Sequence, residues 1–305
     1  MSPPASPAPR AGSRIPRGLA RFAPGPRGFV LAGIALAALA SWIALDASIG
    51  GLIPRRGGAL IVRAFFARAL SPAFEYESAV PAGTPPVALQ ALAAARRTVV
   101  FAAAGMSLAL VLGIVLGFLG STAWWAGDAA GASTPVRRAL RRTAAPAIYA
   151  ATRVAIVAMR SVHEILWAVV LLAAFGLNNA AAVLAIAIPY GGTLAKIFSE
   201  MIDEAPRDAG DALRAAGASP LQVFCFGLVP RALPDMSAYS FYRFECAVRS
   251  SAVLGFFGFP TLGYHVSAAF ENLHYGEVWT YLYALGGLVV AIELWSSALR
   301  RRFVA

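Results

Sequence analysis

The sequence predicts an all-α, polytopic membrane protein of about six transmembrane helices with one polar, helical cytoplasmic loop. Three observations carry that prediction. Apolar residues fill 59% of the 305 positions and charged residues 13%, with mean hydropathy +0.66, whereas soluble domains carry about 25% charged residues. Six runs approach the roughly 20 apolar residues that a helix needs to cross a hydrocarbon core about 30 Å thick. The 26 Lys and Arg against 15 Asp and Glu leave a formal charge of +11. These basic residues gather at the ends of apolar runs rather than on a polar domain, a pattern that orients a chain in a bilayer and argues against nucleic-acid binding.

The elements follow in order. Residues 1–27 hold Pro, Ala and Arg with no helical apolar stripe and read as a disordered basic tail. The run at 29–45 is about 17 residues, longer than the core of a signal peptide, so an uncleaved first span is expected. With it, residues 28–97 make the first helix and an external or interfacial segment, in which GALIVRAFFARAL has the pattern of a helix lying at the interface. Further spans are expected at about 98–120, 146–176, 179–199, 235–259 and 278–299. The stretch 146–176, interrupted by Arg153, Arg160, His163 and Glu164, fits either one long tilted helix or an interfacial helix followed by a span.

Charge parity selects a topology. The tail, Arg137, Arg138, Arg141 and Arg142, and Arg300, Arg301 and Arg302 are the clearest basic flanks, and the positive-inside rule puts all of them in the cytoplasm. Counting 146–176 once then gives six spans, both termini inside and the stretch 200–234 on the cytoplasmic side. Arg55, Arg56, Arg63, Arg68, Arg96 and Arg97 fall outside, against the rule, which long translocated loops obey less strictly.

The stretch 200–234 is too polar for the bilayer and too regular for a linker. Ala205 to Ala216 has good helix formers, Gly217 suits a left-handed helix end, and Ser219 with Pro220 suits a helix start. A second helix, apolar at Leu221, Phe224 and Cys225 with Phe226 and Leu228, is expected to end near Pro230. By periodicity this is a helical hairpin tying two spans together.

The order of residues says more. DALRAAGASPLQVFCFGLVP resembles the EAA signature of ABC-transporter permease subunits, with Asp211 in place of Glu, Leu213 in place of the second Ala and Val229 in place of Leu. RSVHEILWAVVLLAAFGL, LAKIFSEMIDE and YSFYRFECAVRSSAVLGFFGFPTLG extend the likeness, over about residues 95–300, to the phosphonate-type permeases with a MetI-like transmembrane domain. GFPTLG and IPYGGTLAK depart from the usual blocks. The resemblance implies a domain over 98–305 whose coupling loop contacts a cytoplasmic ATPase through Asp211, Ala212, Leu213, Gly217, Ala218, Pro220, Phe224, Val229 and Pro230. It also implies a second permease copy, an external substrate-binding protein, residence in the bacterial inner membrane and transport of a phosphorus oxyanion.

Ionisable residues at bilayer depth cost roughly 2.5–3.5 kcal/mol and usually pair or line a wet path. Glu245 and Arg249 are four apart and face one another, Arg243 is only two residues from Glu245 and cannot pair with it along the same face, and one Arg is left over. Arg160 and Glu164 have the same i, i+4 spacing. Two readings of Arg243 and Arg249 stay open: contact with an oxyanion, or ion pairs to another helix such as the one bearing Arg160 and Glu164. HEILW places Trp167 where HExxH needs its second His, and no metal site is expected. Gly113 and Gly117 form GxxxG, which lets helices approach closely, and Tyr275, Trp279, Tyr281 and Tyr283 suit an aromatic belt.

The sequence has no GxxxxGK[ST] phosphate loop and one lysine, Lys196, so ATP hydrolysis is assigned to separate subunits, and no cofactor is expected on this chain. An intramembrane hydrolase would need a nucleophile with its base, and a secondary transporter internal repeats; neither pattern is visible.

Overall fold

A computed structural model describes residues 26–53, 56–126 and 135–303. The expected tail at 1–27 therefore lies almost wholly outside the described residues. The chain divides between Arg63 and Ala64 into two compact units.

The first unit contains α1 (Pro26–Ala44), a 3-10 turn at Ile49–Leu52, and the start of α2 (Arg56–Ala67). α1 is apolar all round and presents Phe29, Leu31, Leu36 and Ile43 outward, as a lipid-facing helix does.

The second unit is built around α3 (Val87–Gly120) and α7 (Asn179–Glu204). α3 runs unbroken through position 97, so the boundary drawn there from sequence falls inside a helix. Its 34 residues are about 51 Å long, more than one bilayer core. Small residues let the two helices touch: a Cβ on Gly105 would meet Ile186 at 2.8 Å, on Gly113 Leu194 at 2.7 Å, and on Gly117 Phe198 at 3.0 Å. The GxxxG pair thus serves packing within the chain. The Gly191-Gly192 pair of the unusual IPYGGTLAK block works from the other side, with Gly191 against Leu112 of α3 and Gly192 against Met159. Met159 belongs to α5 (Pro135–Ser161), which follows the short α4 (Thr122–Ala126).

The ambiguous stretch 146–176 is two helices. α5 ends at Ser161, and α6 (Glu164–Phe175) leaves at 94° to it, with His163 as the N-cap whose Nδ1 accepts from the Ile165 amide. A second break, of 45°, separates α10 (Val229–Val253) and a 3-10 turn at Leu254–Phe257 from α11 (Leu262–Glu271). Glycine is required at this break: a Cβ on Gly255 would lie 2.0 Å from the Tyr264 nitrogen and one on Gly263 2.1 Å from the Ala252 oxygen. α12 (Tyr275–Phe303) closes the unit. Among the described residues four helices are long and apolar enough to cross a membrane, and six if each bent pair is one span, in agreement with the count from sequence.

Candidate functional site

The loop at 200–234 folds locally from its turn residues. α8 (Asp208–Ala215) carries Asp208 and Asp211 in its first turn and Arg214 in its last, each where the helix dipole favours it. Gly217, at φ +83°, ends it: its amide donates to the Arg214 carbonyl, and that of Ala218 to the Leu213 carbonyl, which completes a Schellman motif. Ser219 then caps the next helix, with Gln222 N–H donating to Ser219 Oγ at 3.4 Å and Ser219 N–H to Gln222 Oε1 at 2.8 Å.

The second loop helix does not end near Pro230, contrary to the expectation. α9 (Pro220–Gln222) passes through a π segment, Val223–Leu228, straight into α10. Pro230 has no N–H for the α ladder, and the wider turn, in which Val229 N–H donates to the Phe224 carbonyl, absorbs the missing bond. That turn also resets the faces. Val223, Phe224, Gly227 and Leu228 are buried, whereas Leu221, Cys225 and Phe226 are exposed, Phe226 at 72%.

Of the residues expected to meet a partner, Asp211, Ala212, Gly217 and Pro230 are exposed, and Leu213, Ala218, Pro220 and Val229 half-buried. Phe224 points the other way. At 3% exposure its ring packs at 4.8 Å from Phe118, at the end of α3, and at 5.4 Å from Trp124 on α4. α8 lies on the π segment with Gly210 against Gly227, where a Cβ would leave only 2.9 Å. Asp203 ties the neighbouring corner, accepting from Ser121 Oγ at 2.6 Å and from the amides of Thr122 and Ala123 at 3.0 and 2.9 Å. The outcome is an exposed patch mounted rigidly on the ends of α3 and α7.

The second set of candidates lies within the spans. Arg249 and Glu245 pair at 3.3 Å, as the spacing predicts. Arg160 and Glu164 do not pair: the helix breaks between them, so the i, i+4 relation is lost, and Arg160 is exposed. Glu164 instead accepts from Ser250 Oγ of α10 at 2.8 Å, and Ser250 Oγ lies 2.9 Å from Tyr190 Oη of α7. Glu164, Ser250 and His163 line a cavity of about 50 Å³. Arg243 sits over the Tyr190 ring at 5.5 Å and donates through Nε to Tyr239 Oη at 3.0 Å. Among the described residues it has no carboxylate partner, so it is an uncompensated positive charge of this span. Tyr239, Tyr190 and Ser250 were not singled out from sequence; the Tyr four residues before Arg243 was the available signal. Arg153 repeats it, with Tyr149 at 3.1 Å.

Other residues take structural places. Tyr281 is buried, donates to Gln90 at 2.9 Å and stacks on His265, so it belongs to the core rather than to an aromatic belt. Trp279 and Tyr275 pack on Phe65. Among the described residues no three of His, Cys, Asp and Glu gather as metal ligands.

Known proteins share this architecture. Over 207 residues the chain is 28% identical to the phosphite transport system permease protein PtxC of Stutzerimonas stutzeri, covering 68% of each chain. It is 31% identical over 159 residues to the phosphate-import permease protein PhnE of Mycolicibacterium smegmatis, covering 52% of this chain and 30% of that one. An amino acid ABC transporter chain of known structure superposes on 70% of this chain and 94% of its own, with TM-score 0.55 and 15% identity, a likeness of fold. Residues 129–305, which hold the exposed loop and the intramembrane charges, match the family described as binding-protein-dependent transport system inner membrane component, and this chain belongs to that family.

Proposed function

We propose that this permease forms the translocation pathway of an ATP-driven importer for phosphonate or a related phosphorus oxyanion such as phosphite. It sits in the bacterial inner membrane with both termini and the 200–234 loop in the cytoplasm. Two copies form the pathway, a separate ATPase docks on the exposed face of the loop through Asp211, Ala212, Leu221 and Phe226, and an external binding protein supplies the solute. Hinge-like movement of the ATPase is passed on because the loop is short, doubly capped and wedged by Phe224 against α3 and α4. No cofactor is assigned to this chain.

The observation that carries the anion reading is Arg243, a guanidinium held between two tyrosine rings and, among the described residues, without a counter-carboxylate. An ionisable residue within a span is usually retained where it pairs or lines a wet path, and guanidinium geometry matches a phosphorus oxyanion. The phosphite and phosphate systems of the two relatives support the same solute class. Arg249 is already met by Glu245 and is not given this role. The test is uptake of phosphite and methylphosphonate by proteoliposomes bearing Arg243→Gln or Arg243→Lys at matched protein levels. Uptake by the Gln variant should fall about tenfold or more while Lys retains part of it. Unchanged uptake and solute preference in the Gln variant would overturn the pathway role.

A further inference from the structure

Arg96 and Arg97 are two of the six arginines that fall outside against the positive-inside rule. They lie on α3, 21 and more residues before Phe118, which packs against the coupling loop. At 1.5 Å per residue that is about 31 Å, one bilayer core away. With the loop in the cytoplasm, both arginines therefore stand at the outer face. Both are exposed, and among the described residues neither has a carboxylate partner.

They open onto a cleft of about 670 Å³, lined with them by Phe101, Asn179, Val183 and Pro260. Its frame is fixed by buried bonds. Thr98, the next residue on α3, accepts at Oγ1 from the Leu262 amide at 3.1 Å, and its carbonyl accepts from Ser251 Oγ at 2.8 Å. Phe101 packs edge-on at 5.5 Å to Phe259. The turn of α3 bearing the two guanidinium groups is thereby held against the break between α10 and α11, whose rim residue Pro260 belongs to the divergent GFPTLG block.

We propose that this cleft is the outer receiving site for the anionic solute, where Arg96 and Arg97 take a phosphorus oxyanion released by the binding protein before it reaches Arg243. This rests on the importer reading above. Paired guanidinium groups offer several donors to a tetrahedral oxyanion, and a cleft of one charge sign raises the local concentration of its counter-ion. The phosphate of a lipid headgroup offers the same chemistry from the membrane side, so the experiment must separate the two sources.

The complete transporter, permease with ATPase and binding protein, is reconstituted with wild-type, Arg96→Gln/Arg97→Gln and Arg96→Lys/Arg97→Lys permeases. Uptake of phosphite and methylphosphonate is measured against binding-protein concentration, in phosphatidylcholine and in phosphorus-free digalactosyldiacylglycerol vesicles. The Gln pair should raise the half-saturating concentration about tenfold or more. Wild-type basal ATP hydrolysis should be retained, the Lys pair should recover most of the loss, and the ratio of wild type to variant should be the same in both lipids. Equal uptake by wild type and the Gln pair overturns the site. A difference present only in phospholipid also overturns it, by assigning the arginines to headgroups. Wild-type vesicles that import neither anion with ATP refute the importer reading, and this site with it, a result distinct from either of the others.

Discussion

Phe224 and Phe226 lie two positions apart on one loop, and truncating each should break a different thing. Phe226 is 72% exposed and makes no ring contact within the described chain, so Phe226→Ala should change the stability of the isolated permease by no more than about 0.5 kcal/mol. Burying a phenylalanine ring against a partner contributes about 1.5–3 kcal/mol, and its loss should weaken ATPase association about 10- to 150-fold. Phe224 is 3% exposed and wedged between Phe118 and Trp124. Phe224→Ala removes that packing and should cost about 3–5 kcal/mol of permease stability. Thermal unfolding of each purified permease measures the first quantity, and titration of labelled ATPase onto permease in nanodiscs the second. Wild-type ATPase affinity in Phe226→Ala, together with an unshifted unfolding midpoint in Phe224→Ala, would refute the assignment of faces on the loop.

Three further outcomes follow from the packing and the polar chain. Gly263→Ala forces a Cβ to within 2.1 Å of the Ala252 oxygen and should destabilise the permease by about 3 kcal/mol or more, whereas Gly286→Ala, with nothing within 4 Å, should not; unfolding midpoints of the two variants check this. Gly113→Leu drives a side chain into Leu194 and should separate α3 from α7, read as loss of protection from hydrogen exchange along both helices. Ser250→Ala removes the donor to Glu164 and the link to Tyr190; at about 1–3 kcal/mol it should lower the unfolding midpoint, and Tyr190→Phe, which leaves the Ser250 to Glu164 bond in place, should lower it less.

Much of the fold was legible in the sequence because hydropathy reports lipid and glycine reports close contact. The six-span count, the turn at Gly217, the cap at Ser219 and the pair of Arg249 with Glu245 each rest on local rules of spacing, and each is present. Local spacing misleads where a helix widens or breaks. The π turn at Val223–Leu228 rotates Phe224 inward and Phe226 outward, and the 94° bend between Ser161 and Glu164 cancels an i, i+4 pair. The chain of polar contacts from Glu164 through Ser250 to Tyr190 was not legible, since it joins three helices whose juxtaposition no local spacing encodes. The same holds for the cleft at Arg96 and Arg97, where charge pattern marked an anomaly and only the break at Pro260 shows what the arginines face.

The most direct test of the central claim is uptake by proteoliposomes containing the permease, its ATPase and the loaded binding protein, with ATP and an ion gradient supplied separately. Phosphite or methylphosphonate should accumulate only with ATP and binding protein together, and deletion of residues 211–230 should abolish that uptake. Accumulation driven by the ion gradient alone, or undiminished uptake after the deletion, would contradict the account.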